Sequence, residues 1–432
     1  MCATRVGLVC GYLDPTRDGV ADYTGRLAAS LRPAGVDPLI LTTHRWARAA
    51  GSGVVGVTDR WDVRGVSAAA RSMRQLRLDV VHVQFAPSAF GSSRAVGLLP
   101  VILPRDIPLI VTLHEYGVWS GHGRGRPIRS SLWSAAERHG YADRETLLLT
   151  PRADRLLVSS AEHLQVLHHR FRRQPAALEV PIGLNVDVAT GDRRQARVDV
   201  RRELGAAPDA PLVVFFGFLH PEKGLDRLIA AVADLREHLP GAELLLIGGA
   251  ESHSVPADDA RRLRRELEQV AATHNFGDGV HFSGYQPAEE VSRLLQAADA
   301  GAFPFNAGVT RKSSSLLAAL AAGIPVVATA PAGVVTGPTE DDGVLLVPPR
   351  DTVALTCALR QVLSDRALAD RMKAAARVRV AGQDWADIAA VHAAVYTRAA
   401  ASHRRGRPWT RAAHPSSVGT STTMEGVRGV DA

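Results

Sequence analysis

The sequence predicts an α/β fold with parallel sheets, laid out in two successive halves. Short apolar strands alternate with amphipathic helices from end to end, as they do where helices connect parallel strands. The alternation is interrupted once, by the charged stretch "VATGDRRQARVDVRRELGAAPDAP", and then restarts. A length of 432 residues is ample for two or three domains with sizeable cores.

The first half opens with strand "RVGLVCGYL", loop "DPTRDG", helix "VADYTGRLAASLRPAG" and strand "DPLILTT". Strands "DVVHVQF", "PLIVTLHE" and "RLLVSS" follow, with "ALEVPI" as a further one. The helix after "VSS" carries Leu164, Leu167 and Phe171 at helical spacing. The charged stretch has no strand signal and is expected to be a connection.

The second half begins with strand "LVVFFGF", loop "LHPEKG", helix "LDRLIAAVADLREHLP" and strand "AELLLIGG". A charged helix from Asp258 to His274 leads to "GVHFSG", helix "AEEVSRLLQAADA" and strand "GAFPF". "GVTRKSSSLLAALAAGIPVVAT" then supplies a polar loop, a helix and a buried strand. "GVLLVPP" and two more helices complete this half, and "DWADIAAVHAAVYTRAA" reads as a closing helix.

The expected division is 1–186 for the first Rossmann-like half, 187–208 for a linker and 209–382 for the second half. Residues 383–400 form the closing helix, and 401–432 a disordered basic tail. A ligand is expected in the cleft between the halves, at the carboxyl ends of the strands.

Composition excludes several classes. The chain is 46% hydrophobic and 22% charged, ordinary for a globular protein. Its apolar runs are too short or too broken by Gly and Pro to span a bilayer. No basic, apolar and small-residue succession marks a signal peptide at the N-terminus. Cys2, Cys10 and Cys357 have no metal-binding spacing, so a cytoplasmic setting is expected. The formal charge is +7, but the tail from Ala401 holds five arginines against two acids. The body is therefore only mildly basic, and aromatics at 5% are too few for a base-stacking surface. Nucleic acid is not an expected partner. The basic segment "LHHRFRRQ", Leu167 to Gln174, suits either contact with an acidic membrane face or a solvated helix end.

Two loops of the second half suit an anion. In "FFGFLHPEKGLDRL", Gly217 ends a strand and Lys223 stands just before a helix, where free amides and the helix dipole favour negative charge. In "GVTRKSSSLLAAL", Arg311 and Lys312 bring charge to a helix start, and Ser313, Ser314 and Ser315 bring hydroxyls and amides. A diphosphate fits such a site, although serines there can also simply cap the helix.

The first half offers less. "YLDPTRDGVADYT" lacks GxGxxG, so Gly19 lets a ligand approach the backbone or merely makes a turn. His114 and Glu115 end the strand "VTLHE", aimed at the cleft, and His82 and Gln84 in "HVQF" have weaker claims. "WSGHGRGRPIR", Trp119 to Arg129, suits a cleft loop or a plain linker.

Together these segments resemble a family. "DGVADYTGRLAASL", "DVVHVQFAP", "VTLHE", "ADRLLVSSAEHLQVL", "PIGLNV", "FFGFLHPEKGLDRLIAA", "LLLIGG", "VHFSGY" and "AALAAGIPVVAT" are similar, in that order, to retaining glycosyltransferases of the GT-B fold, family 4. The resemblance implies two Rossmann-like domains facing across a cleft, with the closing helix around Trp385 crossing back to the first. It implies acceptor binding by the first half and nucleotide-sugar binding by the second, a UDP- or GDP-sugar for example. No cofactor or metal is implied.

On that basis His114, Lys223 and Arg311 are the expected catalytic groups. The donor is expected at Gly19, Gly217, Phe218, Lys223, Gly249, Tyr285, Thr310, Arg311, Lys312, Ser313, Ser314 and Ser315. The acceptor is expected at Asp22, Gln84 and Glu115. Two departures from the family stand out. Phe218 occupies the place of an arginine, and Thr310 and Ala318 occupy the places of two glutamates that hold the donor's sugar and ribose. Cationic charge at Arg311 and Lys312 is expected to compensate. A non-catalytic nucleotide-binding protein and a sugar-nucleotide epimerase are the alternatives.

Overall fold

The computed structural model describes residues 3–16, 18–117, 130–186, 192–251, 257–310, 313–331, 337–339 and 343–404. Arg311, Lys312 and the segment Trp119 to Arg129, singled out above, lie outside the described residues.

The first half is a parallel sheet of β1 (Thr4–Val9), β2 (Val36–Thr43), β3 (Val54–Thr58), β4 (Val80–Phe85), β5 (Leu109–Leu113), β6 (Arg155–Val158) and β7 (Ala177–Glu179). Their order is β3-β2-β1-β4-β5-β6-β7. Strands β1, β4 and β5 contribute apolar residues to the core on each face, and β4 and β5 also bury the polar His82, Gln84 and Thr112. The edge strand β3 was not foreseen; its five residues follow a Gly-Ser-Gly turn and show no alternation.

The second sheet contains β8 (Leu212–Phe216), β9 (Glu243–Ile247), β10 (Val280–Gly284), β11 (Ala300–Phe303), β12 (Val326–Thr329), β13 (Gly337–Thr339) and β14 (Val344–Val347). Their order is β10-β9-β8-β11-β12-β14-β13, parallel except for the antiparallel edge strand β13. In both sheets the order reverses beside the first strand, between β1 and β4 and between β8 and β11. Crevices at the carboxyl ends of such strands are where open α/β sheets take ligands.

The charged connection is more structured than expected. Asp192 caps a helix, Arg193–Leu204, by accepting from the Arg194 and Gln195 amides. That helix belongs to the second half. Arg201 is buried and donates to the Ala210 and Ala297 carbonyls and to Asp299, 2.6 Å away. Arg193 donates to the Gly323 carbonyl.

The closing helix, Trp385–Arg404, crosses back and covers one face of the first sheet. Ile388, Ala389, Tyr396 and Ala399 are buried there among residues of β1 and the helix Gly19–Leu31. The Trp385 indole N–H donates to the Leu184 carbonyl at 2.6 Å. The helix continues to Arg404, so residues 401–404 are ordered where a tail was expected, and 405–432 lie outside the described residues.

Among the described residues, no helix is long and apolar enough to cross a membrane. The basic segment at Leu167 divides by environment. Arg170 turns inward to pair with Asp143 and Glu145, while Arg172 and Arg173 are exposed. Arg170 is therefore not available to a membrane surface.

Candidate functional site

The loops at the two strand-order reversals face each other across a cleft of about 660 Å³. One wall comes from the loop after β1, the start of the helix Gly19–Leu31, the 3-10 turn Ser88–Phe90 and the end of β5. The other comes from the loops after β8, β9, β10 and β11.

On the second-half wall, β8 ends at Gly217, and the loop forms a 3-10 turn, Pro221–Lys223, closed by Gly224 at φ 63°. Only glycine fits at Gly224, because a Cβ would lie 2.2 Å from the Pro304 carbonyl oxygen. This packing ties the loop after β8 to the loop after β11. Asn306 adds to it by donating from its backbone to Glu222 O at 2.9 Å and accepting from Arg227.

Lys223 is thereby held in a fixed frame, its Nζ 3.7 Å from the centroid of the Phe305 ring. A cation over a ring face is attracted by the ring quadrupole. Burial pushes the ammonium pKa down to about 8. An anion beside Lys223 would raise it again.

The second helix start is Ser314–Ala321, with Ser313 at its N-cap. Ser313 makes no side-chain capping bond; its hydroxyl lies 3.3 Å from that of Ser315 instead. A side-chain cap therefore does not account for Ser313, and Ser313, Ser314 and Ser315 line the cleft at a helix start, where first-turn amides have no partner within the helix. Ser315 also lies against Gly217, so the two loops meet at the base of the wall.

Charge is divided between the walls. The carboxylates lining the cleft, Asp18, Asp22 and Glu115, all belong to the first half. Among the described residues the second-half lining has no carboxylate, and it has Lys223, His220 and the starts of two helices, Ser314–Ala321 and Ala288–Ala297. That asymmetry favours an anionic ligand on the second half.

On the first-half wall His114 is largely buried, its Nε2 2.9 Å from Gln84 Oε1. An amide oxygen only accepts, so Nε2 carries the proton. Tyr23 meets the His114 ring edge-on at 4.7 Å. Gln84, expected at the acceptor, is fully buried and does not line the cleft. It stands behind His114 and positions it.

The remaining expected residues, Gly19, Asp22, Glu115, Phe218, Gly249, Tyr285 and Thr310, all line the cleft. Gly19 starts its helix in open space. Asp18 occupies that helix start, accepting from the Val20 and Ala21 amides at 2.7 and 3.2 Å. A carboxylate in that place leaves no room for a phosphate. Ala318, at the second missing glutamate, is buried in the core.

Asp18, Arg26, His220, Asn185 and Phe305 line the cleft and were not singled out from sequence. Asp18 was legible as an N-cap before an amphipathic helix, and Arg26 as the i+4 partner of Asp22. Phe305 carries no sequence signal, because its role depends on Lys223 folding over it.

Comparison with known proteins decides the family. The model for glycosyl transferases group 1 matches residues 197–379, and that for glycosyltransferase family 4 matches residues 17–180. Each model falls on one half, and together they span both cleft walls. The chain belongs to the group 1, family 4 glycosyltransferases.

Its curated relatives include D-inositol 3-phosphate glycosyltransferases. That of Nocardia farcinica is 32% identical over 243 residues, 55% of this chain and 51% of the relative. That of Geodermatophilus obscurus is 33% identical over 263 residues, 58% and 55% respectively. The chain thus spans about half the length of the curated relatives it matches.

Solved structures share the fold. Sucrose-phosphate synthase from Thermosynechococcus elongatus superposes with a TM-score of 0.65 at 20% identity, covering 92% of this chain and 100% of that one. HepE from Anabaena, solved with UDP and glucose, gives a TM-score of 0.67 at 15% identity, covering 91% and 100%. Both share the overall fold of this chain.

Proposed function

We propose that the protein transfers a sugar from a nucleoside-diphosphate donor to a hydroxyl acceptor, with retention of anomeric configuration and without a metal. The observation that carries this reading is the second-half wall. Lys223, the uncapped serine helix start and the absence of lining carboxylates among the described residues converge where a diphosphate would lie.

In this reading the Ser314 and Ser315 amides and the Lys223 ammonium stabilise the diphosphate as the bond to the sugar breaks. The anomeric carbon gains oxocarbenium character, and the acceptor hydroxyl attacks on the face the diphosphate leaves. The departing phosphate oxygen takes the acceptor's proton, so no enzyme carboxylate is required as nucleophile. His114, with its proton fixed on Nε2, contacts the donor sugar. Closure of the halves excludes water that would hydrolyse the donor.

Thr310 and Ala318 remove the two glutamates that would hold sugar and ribose, and Phe218 removes a cation. We assign the compensating charge to Arg311, on its place in the sequence two residues before Ser313. Its replacement by alanine is expected to weaken donor binding; unchanged affinity would refute that assignment.

The missing glutamates also support a second reading, a GT-B protein that binds nucleotide without turning it over. Incubation with labelled UDP-, GDP- and dTDP-sugars separates these readings. Slow release of free sugar supports the transferase, and binding without release supports the second. An interconverted donor sugar would instead indicate an epimerase.

A further inference from the structure

We propose that a second cavity, of about 610 Å³ in the first half, binds a neutral sugar unit of the acceptor. The word acceptor rests on the transferase reading; the sugar site itself does not. The cavity lies at the carboxyl ends of β2 and β3, beside the 3-10 turn after β4.

Aromatic residues make up only 5% of the chain, yet Tyr12, Trp46, Trp61 and Phe90 all line this one cavity. Its floor is fixed. The Trp61 indole N–H donates to the Gly11 carbonyl at 2.9 Å, and Trp61 meets the buried Phe90 edge-on at 5.1 Å. The Ser93 hydroxyl donates to the Trp61 carbonyl at 2.6 Å. Trp46 is only half-buried, with the Arg45 guanidinium 5.3 Å from its ring centroid.

Around this floor the charges balance, Arg45 and Arg60 against Asp59 and Asp62. A phosphate would meet two carboxylates there. Sugar hydroxyls both donate and accept, so they can use guanidinium and carboxylate alike. The apolar face of a sugar ring suits an aromatic wall.

The cavity also adjoins the cleft. Tyr12 lines the cavity and Pro15, three residues on, lines the cleft. Phe90 and Ser88 divide in the same way. The two loops touch so closely that a Cβ on Gly11 would lie 1.9 Å from the Ala89 carbonyl oxygen. The same two loops thus line both spaces, and a glycan with one unit in the cavity would extend along them toward the cleft.

The test is saturation-transfer NMR and calorimetry on the full chain, without donor, using neutral gluco-, manno- and galacto-trisaccharides of both linkage configurations. At least one is expected to bind saturably. Trp46→Ala and Arg60→Ala should each weaken it about tenfold or more, while Trp46→Phe should retain most of the affinity. Arg60 is 83% exposed, so its replacement leaves the fold intact. UDP should bind all these variants equally and should not displace the sugar. The proposal is overturned if no trisaccharide saturates, if both alanine variants bind normally, or if UDP competes. Failure of the transferase reading would appear separately, as sugar binding here without any turnover of nucleotide-sugar.

Discussion

The hydroxyl of Tyr396, on the closing helix, lies 2.7 Å from Nδ1 of His82 on β4. His82 bonds through its other nitrogen to the Thr112 hydroxyl at 2.7 Å, and the Gln84 amide nitrogen lies 3.2 Å from both ring nitrogens. Gln84 in turn accepts from His114. A helix that follows the second half in sequence is thus bonded, through three buried side chains, to the histidine at the cleft. His82 and Gln84 are the interior of this relay.

Removing the Tyr396 hydroxyl leaves the buried His82 Nδ1 with only the longer contact to the Gln84 amide. Tyr396→Phe is expected to lower stability by about 1–3 kcal/mol, measured by denaturant unfolding. A larger fall in turnover than in nucleotide binding would show the relay reaching His114.

Acid should destabilise the protein through the same helix. Burial pushes His392 down to about 4, and its Nε2 has no hydrogen-bond partner among the described residues. Burial, with His392 and His114 nearby, also holds His82 well below its ordinary value. The unfolded chain takes up these protons near pH 6.5, before the folded one. Stability from these groups is therefore present above pH 6.5 and is lost as the pH falls toward 4. His392 alone accounts for about 2 kcal/mol between pH 7 and 5. Unfolding curves at a series of pH values should show this loss, and His392→Leu should flatten it.

Lys223 gives the opposite dependence, in ligand binding. Burial sets its pKa at about 8, and a bound diphosphate would raise it. Between those values binding takes up a proton, so affinity for nucleoside diphosphate should fall as the pH rises above 8. Calorimetry in buffers of different ionisation enthalpy measures the proton uptake. Lys223→Met should abolish the uptake and weaken binding about tenfold to a hundredfold, as loss of a charge-assisted contact predicts.

The fold was legible because both halves repeat one rule, an apolar strand followed by an amphipathic helix. The weakest strands, β3 and β13, have five and three residues on sheet edges, where little burial shapes the sequence. The helix Arg193–Leu204 read as a linker because it is mostly charged. Its attachment to the second half depends on Arg201 reaching Asp299, a contact 98 residues apart that no local pattern reveals. In the site, residues at strand ends and helix starts were legible. Gln84 was misplaced because alternation along β4 does not distinguish a side chain facing the cleft from one buried behind it. The Phe305 partner of Lys223 was invisible for the same reason of distance.

The two strand ends beneath the donor wall tolerate no side chain. Gly248 has φ 138°, and a Cβ there would lie 2.1 Å from the Gly217 carbonyl oxygen. Gly248→Ala is expected to cost about 2–4 kcal/mol, seen as a lowered melting temperature. It should weaken nucleotide binding and leave trisaccharide binding in the other half intact.

The central claim is that the second-half wall binds a nucleoside diphosphate without a metal. Titration calorimetry of UDP, GDP, ADP and dTDP in excess EDTA tests it most directly. The account predicts saturable binding of at least one of them, weakened by Lys223→Ala. Absence of binding by all four, binding that requires added divalent metal, or affinity indifferent to Lys223 would contradict it.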